Sequence, residues 1–106
     1  MMPSSPKLTE EQIQEALEQL DGWELHQGKL HRKLVFKDFR EALGFMVSVG
    51  CAAEAQNHHP EWSNVYNRVE VWLTTHDAGG LTQKDLALAA EIDRRAPGKS
   101  IHRKAR

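Results

Sequence analysis

The chain predicts an α+β domain of two layers: a four-stranded antiparallel sheet with three helices on one face, in the order α-β-β-α-β-β-α. Three observations carry this expectation. Apolar residues recur at helical spacing in three separate stretches, around Ile13, Met46 and Ala89. Each gap between those stretches holds two alternating segments joined by a short turn. Strands joined this way pair antiparallel, and helices alternating with hairpins pack on one sheet face. At 106 residues one such domain buries a core without staples.

Residues 1–7, rich in Pro and Ser, read as a flexible arm, residues 8–96 as the single domain, and residues 97–106 as a basic flexible tail. The first helix is predicted over Glu10 to Leu20, with Thr9 as N-cap, Gln12 reaching back from the third position and Leu8 stapled onto Ile13. Its apolar face (Ile13, Ala16, Leu17, Leu20) is one narrow stripe, and Gly22 ends it. Trp23–His26 and Leu30–Phe36 alternate around a turn at Gln27-Gly28-Lys29. Arg32 shares the otherwise apolar face of the second strand, which places it near the sheet rim. His26 and His31 read as exposed strand positions without a chemical role.

Asp38 caps the central helix, whose broad apolar face runs from Phe39 through Ala53. Gly44 and Gly50 each cost about 1 kcal/mol against alanine, so close approach by another backbone is expected there. After Pro60 come a strand over Glu61 to Val65, a turn at Tyr66-Asn67-Arg68 and a strand over Val69 to Thr75. Trp72 and His76 fall on the face away from the helices. Leu81-Thr82 and Asp85 repeat the staple-and-cap signature of the first helix and open the last one.

Composition excludes several classes of function. A chain 40% hydrophobic with net charge -1 is ordinary folded composition, with no general pull toward nucleic acid or membrane. Cys51 is the only cysteine, which excludes an internal disulfide and makes a reducing compartment the default. The opening residues lack the apolar run of a secretory signal, and no stretch approaches membrane-spanning length. A cytoplasmic location is expected.

The stretch from Glu54 to Asp85 carries the candidate chemistry. It holds three of the six histidines, His58, His59 and His76, with the adjacent pair set against Pro60. Imidazole both gives and takes a proton near neutral pH. Pro60 cannot continue a helix, so the pair sits where the chain turns. Taken singly, His58 or His59 reads as a helix C-terminal residue favoured by the dipole. Glu54 alone would be a solvated helix residue, and Asp85 a helix-cap acid. The pair together with His76 makes the site reading the better one.

Glu54, His58-His59-Pro60-Glu61-Trp62, Asn64-Val65-Tyr66, Thr74-Thr75-His76, Gly80-Leu81 and Asp85 together resemble the pterin-4a-carbinolamine dehydratase family. The likeness continues upstream through Trp23, Phe36-Lys37-Asp38-Phe39 and Gly44-Phe45-Met46. It implies loss of water from a 4a-hydroxytetrahydropterin, in tetrahydrobiopterin recycling, with no cofactor and no metal. It assigns catalytic roles to His58, His59 and His76 without dividing acid from base. Substrate contacts are then expected from Glu54, His58, His59, Pro60, Thr75, His76, Asp77 and Ala78, with Asn57, Asp85 and Trp23 in support. Glu54 would accept hydrogen bonds from the pterin's 2-amino and N3 hydrogens. A homodimer or homotetramer is implied, and dimerisation would also protect open sheet edges.

One departure is Asn57, where some family members carry Asp before the paired histidines; Asn keeps the hydrogen-bonding shape, loses the charge and favours a left-handed helix end. Two rival readings stand beside the enzyme. One is a metal protein using His58, His59 and His76, for which adjacent histidines converge awkwardly. The other is a partner-binding module resembling a transcriptional cofactor, without direct nucleic-acid binding.

Overall fold

The computed structural model describes residues 6–96. The expected arm over residues 1–7 falls mostly outside this range and the expected tail over residues 97–106 wholly so. The elements are α1 (Glu10–Gln19), β1 (Glu24–His26), β2 (Lys29–Val35), α2 (Phe39–Gln56), β3 (Glu61–Val65), β4 (Arg68–Leu73) and α3 (Gln83–Arg95), with a 3₁₀ turn at His76–Ala78. They form the predicted two-layer α+β architecture, with all strand pairs antiparallel. Sheet order is β1-β2-β4-β3, so the two hairpins lie side by side and β2 and β4 are the inner strands.

Local chemistry sets the boundaries. Thr9 and Thr82 each form a full capping box, with Gln12 and Asp85 returning the bond to the cap backbone. Asp38 accepts from the Glu41 N–H at 2.9 Å, while the Glu41 carboxylate reaches one residue further back, to the Lys37 N–H. The first hairpin closes in two residues rather than three. Gln27 and Gly28 both have positive φ, 54° and 82°, as a tight hairpin turn requires. The second turn places Tyr66 at φ 53°, and the Asn64 side-chain amide holds it by donating to the Tyr66 and Arg68 carbonyls.

The core lies between sheet and helices. Leu30, Leu34, Val69, Val71 and Leu73 from the inner strands meet Ala42, Phe45, Val49 and Ala53 of α2 and Leu88, Ala89 and Ile92 of α3. No residue of α1 is buried; its stripe of Ile13 and Leu17 packs half-covered against this core. Arg32 emerges between the layers, where its guanidinium meets Asp93 at 2.5 Å.

Two expectations are corrected, and one feature of α2 goes beyond them. His31 is buried, not exposed. Its Nδ1 lies 2.8 Å from Glu24 and its Nε2 2.6 Å from Glu70, with the rings of His26 and Trp72 tilted against it. Cross-strand neighbours cover it on the sheet face that the helices leave open. Gly44 and Gly50 approach nothing: a Cβ at either position would meet no atom of the described chain within 4 Å. Finally, the apolar face of α2 is wider than this chain covers, leaving Phe39, Leu43 and Val47 about half exposed.

Candidate active site

The C-terminal end of α2 fixes the paired histidines. Asn57 adopts the left-handed conformation, φ 54° and ψ 42°. The His58 N–H then donates to Ala53 and the Asn57 N–H to Glu54, both at 3.0 Å, the two bonds of a Schellman end. The reversal turns His58 inward against α3 and leaves His59 outside. His76 arrives from the second hairpin by a different device. Thr75 bridges to Gly80, and the intervening residues coil into the 3₁₀ turn that Gly79 closes at φ 73°. His76 opens that turn and projects beyond the end of β4.

These pieces surround an open depression of about 300 Å³, lined by Asn57, His58, His59, Thr74, Thr75, His76, Asp77 and Lys84. His58, His59 and His76 therefore come together, as do Thr75 and Asp77. Glu54, Pro60 and Ala78 do not line it; Glu54 reaches it only through His59. Trp23 is at the far end of the domain. Its indole N–H donates to Asp93 at 2.9 Å, and Asp93 lies two turns along α3 from Asp85, about 12 Å by helical rise. That bond draws Trp23 away from the depression.

Each of the three imidazoles points Nε2 at a carboxylate. His58 lies 2.6 Å from Asp85, His59 2.8 Å from Glu54 and His76 2.9 Å from Glu61. A carboxylate accepts, so Nε2 carries the hydrogen in all three and Nδ1 is the remaining ring nitrogen. Among the described residues no protein group bonds to those Nδ1 atoms. The settings differ. His58 is nearly buried and Asp85 fully so, whereas the His59 and His76 side chains are more than half exposed.

Asp85 is more than a cap residue. Its Oδ2 accepts from the Thr75 hydroxyl at 2.8 Å and the Thr82 N–H at 2.9 Å, leaving Oδ1 for His58. Thr75 and Thr82 hydroxyls meet at 2.8 Å, so the buried network is closed. Thr75 thus turns its hydroxyl to Asp85. Glu61, Lys29, Thr82 and Lys84 had no place in the sequence-derived site. Glu61 was within reach, since strand alternation sets it on the same face as Trp72 and His76. Lys29 gave no such signal, because only the sheet order brings it to Glu61, at 2.6 Å. This Lys29 bond chiefly, with help from His76, holds the Glu61 carboxyl below the usual carboxylate range, against the opposing effect of burial.

Among the described residues no three His, Cys, Asp or Glu side chains are grouped to hold a metal ion, because each imidazole is drawn to its own carboxylate. No described helix is long and apolar enough to cross a membrane.

Comparison with known proteins supplies the family. The sequence profile described as pterin 4 alpha carbinolamine dehydratase matches residues 6–95. A Solibacter usitatus protein bearing the pterin-4-alpha-carbinolamine dehydratase name is 55% identical over 92 residues, 87% of this chain and 97% of that protein. A Prochlorococcus marinus protein of the same name is 52% identical over 91 residues, 86% of this chain and 95% of its own length. A crystal structure from Brucella melitensis, described as a transcriptional coactivator/pterin dehydratase, matches with TM-score 0.82 and 44% identity, covering 85% of this chain and 98% of that one. With its fold and nearly its whole described length matched, the chain belongs to the pterin-4-alpha-carbinolamine dehydratase family.

Proposed function

We propose that this protein dehydrates a 4a-hydroxytetrahydropterin to the quinonoid dihydropterin and water, in tetrahydrobiopterin recycling. The observation that carries the reading is that His58, His59 and His76 line one depression, each with Nε2 on its own carboxylate and with Nδ1 bonded to no protein group among the described residues. Dehydration needs two proton transfers. The C4a–O bond breaks while an imidazolium Nδ1–H protonates the departing oxygen, so water leaves instead of hydroxide. The N5–H bond breaks as its electron pair forms the C4a=N5 double bond, and a second imidazole takes that proton at Nδ1. The acid has then lost one proton and the base has gained one, and exchange with water resets both. Each positioned group contributes roughly 10²- to 10⁴-fold.

The site also suits the product side of the exchange. The depression is open, so the planar ring system enters and leaves without a lid. Glu54 supports the site through His59, which it holds at 2.8 Å on the rim of the depression. Exposed Phe39, Leu43 and Val47 on α2, with the open sheet edges, support a homodimer or homotetramer. The single cysteine supports a cytoplasmic setting.

The test is turnover of synthetic 4a-hydroxytetrahydropterin, followed by the loss of its absorbance, with and without a strong chelator. Dehydration well above the spontaneous rate and indifferent to chelator is expected. No acceleration would overturn the reading, and a loss restored by zinc would replace it with a metal mechanism. The Brucella melitensis protein, described as a transcriptional coactivator/pterin dehydratase, suggests a second role, as a partner-binding module. Co-purification with a stable protein partner would establish it.

A further inference from the structure

We propose that Glu61 is a positioning residue for His76, and that Lys29, reaching across the sheet from the other hairpin, sets how strongly Glu61 acts. The inference rests on the dehydratase reading above and deepens it by adding two residues to the His76 arm of the site.

The geometry is a carboxylate shared between two cationic groups. Glu61 gives Oε1 to the Lys29 ammonium at 2.6 Å and Oε2 to His76 Nε2 at 2.9 Å. Lys29 starts β2 and Glu61 starts β3, and β4 runs between them. Two strand spacings amount to nearly 10 Å, a gap that an extended lysine and a glutamate close only by reaching toward each other. Both stand on the sheet face away from the helices, with Trp72, the direct cross-strand partner of Glu61, beneath them.

A half-exposed ion pair by itself is worth little to stability. Its value here is directional. His76 is the most exposed of the three histidines, its side chain 76% accessible, and among the described residues no aromatic ring packs against it. Among the described residues Glu61 is its only side-chain hydrogen-bond partner. The other titratable groups around the depression are Asp77 on the same turn, His58 and His59 from the end of α2, and Lys84 from α3. Glu61 therefore selects the His76 tautomer with the hydrogen on Nε2, and sets a negative charge beside that ring. Lys29 offsets part of that charge while keeping the carboxylate ionised.

A bridging carboxylate makes two variants behave oppositely. Glu61→Gln removes the negative charge, so His76 should hold its proton less tightly. Lys29→Met removes the positive charge and leaves the carboxylate to His76 alone, so His76 should hold its proton more tightly. Following the His76 ring protons by NMR over pH 5 to 9, we expect the midpoint to move acidward in the first and alkaline-ward in the second. Both side chains are partly solvated, so both variants should fold. On turnover, Glu61→Gln should lower kcat about tenfold with KM changed less than threefold, and should cost nothing further in a His76→Ala background. Unmoved midpoints, midpoints moving the same way, or a Glu61→Gln loss that persists in full without His76 would each overturn the proposal. The titrations need no substrate, so an inactive wild-type chain would sink the dehydratase reading and leave the Lys29–Glu61–His76 coupling to stand or fall separately.

Discussion

Asp85 meets His58 across 2.6 Å in the most enclosed part of the site, and that carboxylate is the only one of the three histidine partners with no solvent access. Its other oxygen is fully occupied by Thr75 and Thr82. Asp85→Asn should disturb both sides. With the carbonyl kept on Thr82, the amide nitrogen faces His58, which must then accept at Nε2 and carry its hydrogen on Nδ1. The ring is left in the wrong tautomer to act as a base. Turnover should fall about 10²-fold or more, and stability by about 1–3 kcal/mol for the charge-assisted bonds weakened to neutral ones. Urea unfolding and kcat on one preparation check both numbers.

His76 offers the cleanest separation of chemistry from folding. Its side chain is largely solvated, so His76→Ala should change stability by no more than about 0.5 kcal/mol. Turnover should still drop roughly 10²-fold, the size of one lost acid-base group. Affinity for a pterin ligand should weaken much less, because the proton transfer matters chiefly in the transition state. Near-normal turnover would remove His76 from the reaction.

Asn57 should tolerate change according to backbone conformation rather than charge. At φ 54° glycine is at ease and alanine is not. Asn57→Gly should be neutral within a few tenths of a kcal/mol, while Asn57→Ala should cost about 1 kcal/mol. Asn57→Asp should leave turnover within about one order of magnitude. Thermal melts of the three variants, with kcat alongside, give the comparison.

Acid should weaken the Glu61 junction in a defined direction. The folded chain holds this carboxyl below its unfolded value, so the folded state binds fewer protons there. The stabilisation is complete above the unfolded value, about 4.5, and is lost as pH falls through the lower folded value. Glu61→Gln should melt slightly lower than wild type at pH 7, about 1–3 °C given the solvation of the pair. The gap should close progressively as pH drops below about 4. A gap that widens in acid would contradict the lowered pKa.

Much of this architecture was legible because its signals are local. Thr9, Asp38 and Thr82 announce helix starts within a few residues, and Asn57 does the same for the end of α2. The His58-His59-Pro60 run needed only its own neighbours to be noticed. What escaped depends on partners remote in the chain. Asp85 satisfies its local role as a cap, and nothing nearby discloses that its second oxygen meets a histidine 27 residues earlier. His31 alternates as an exposed residue should; its burial comes from Glu24, Glu70 and Trp72 on two other strands. Hairpins can be read from a sequence, but which strand of each lies inward cannot be read from the turns.

The inner pairing of β2 with β4 carries a kinetic consequence. Leu30 finds Leu73 across about 40 intervening residues, a span that includes all of α2 and β3. Loop closure of that length precedes any reward from contact, so hairpins and helices form early and the central seam later. Lys29 reaches Glu61 only after that seam has zipped, whereas His76 and Glu61 already share one hairpin unit. During refolding, the far-ultraviolet helical signal should therefore recover ahead of enzymatic competence, and the lag between them should report the joining of the two hairpins.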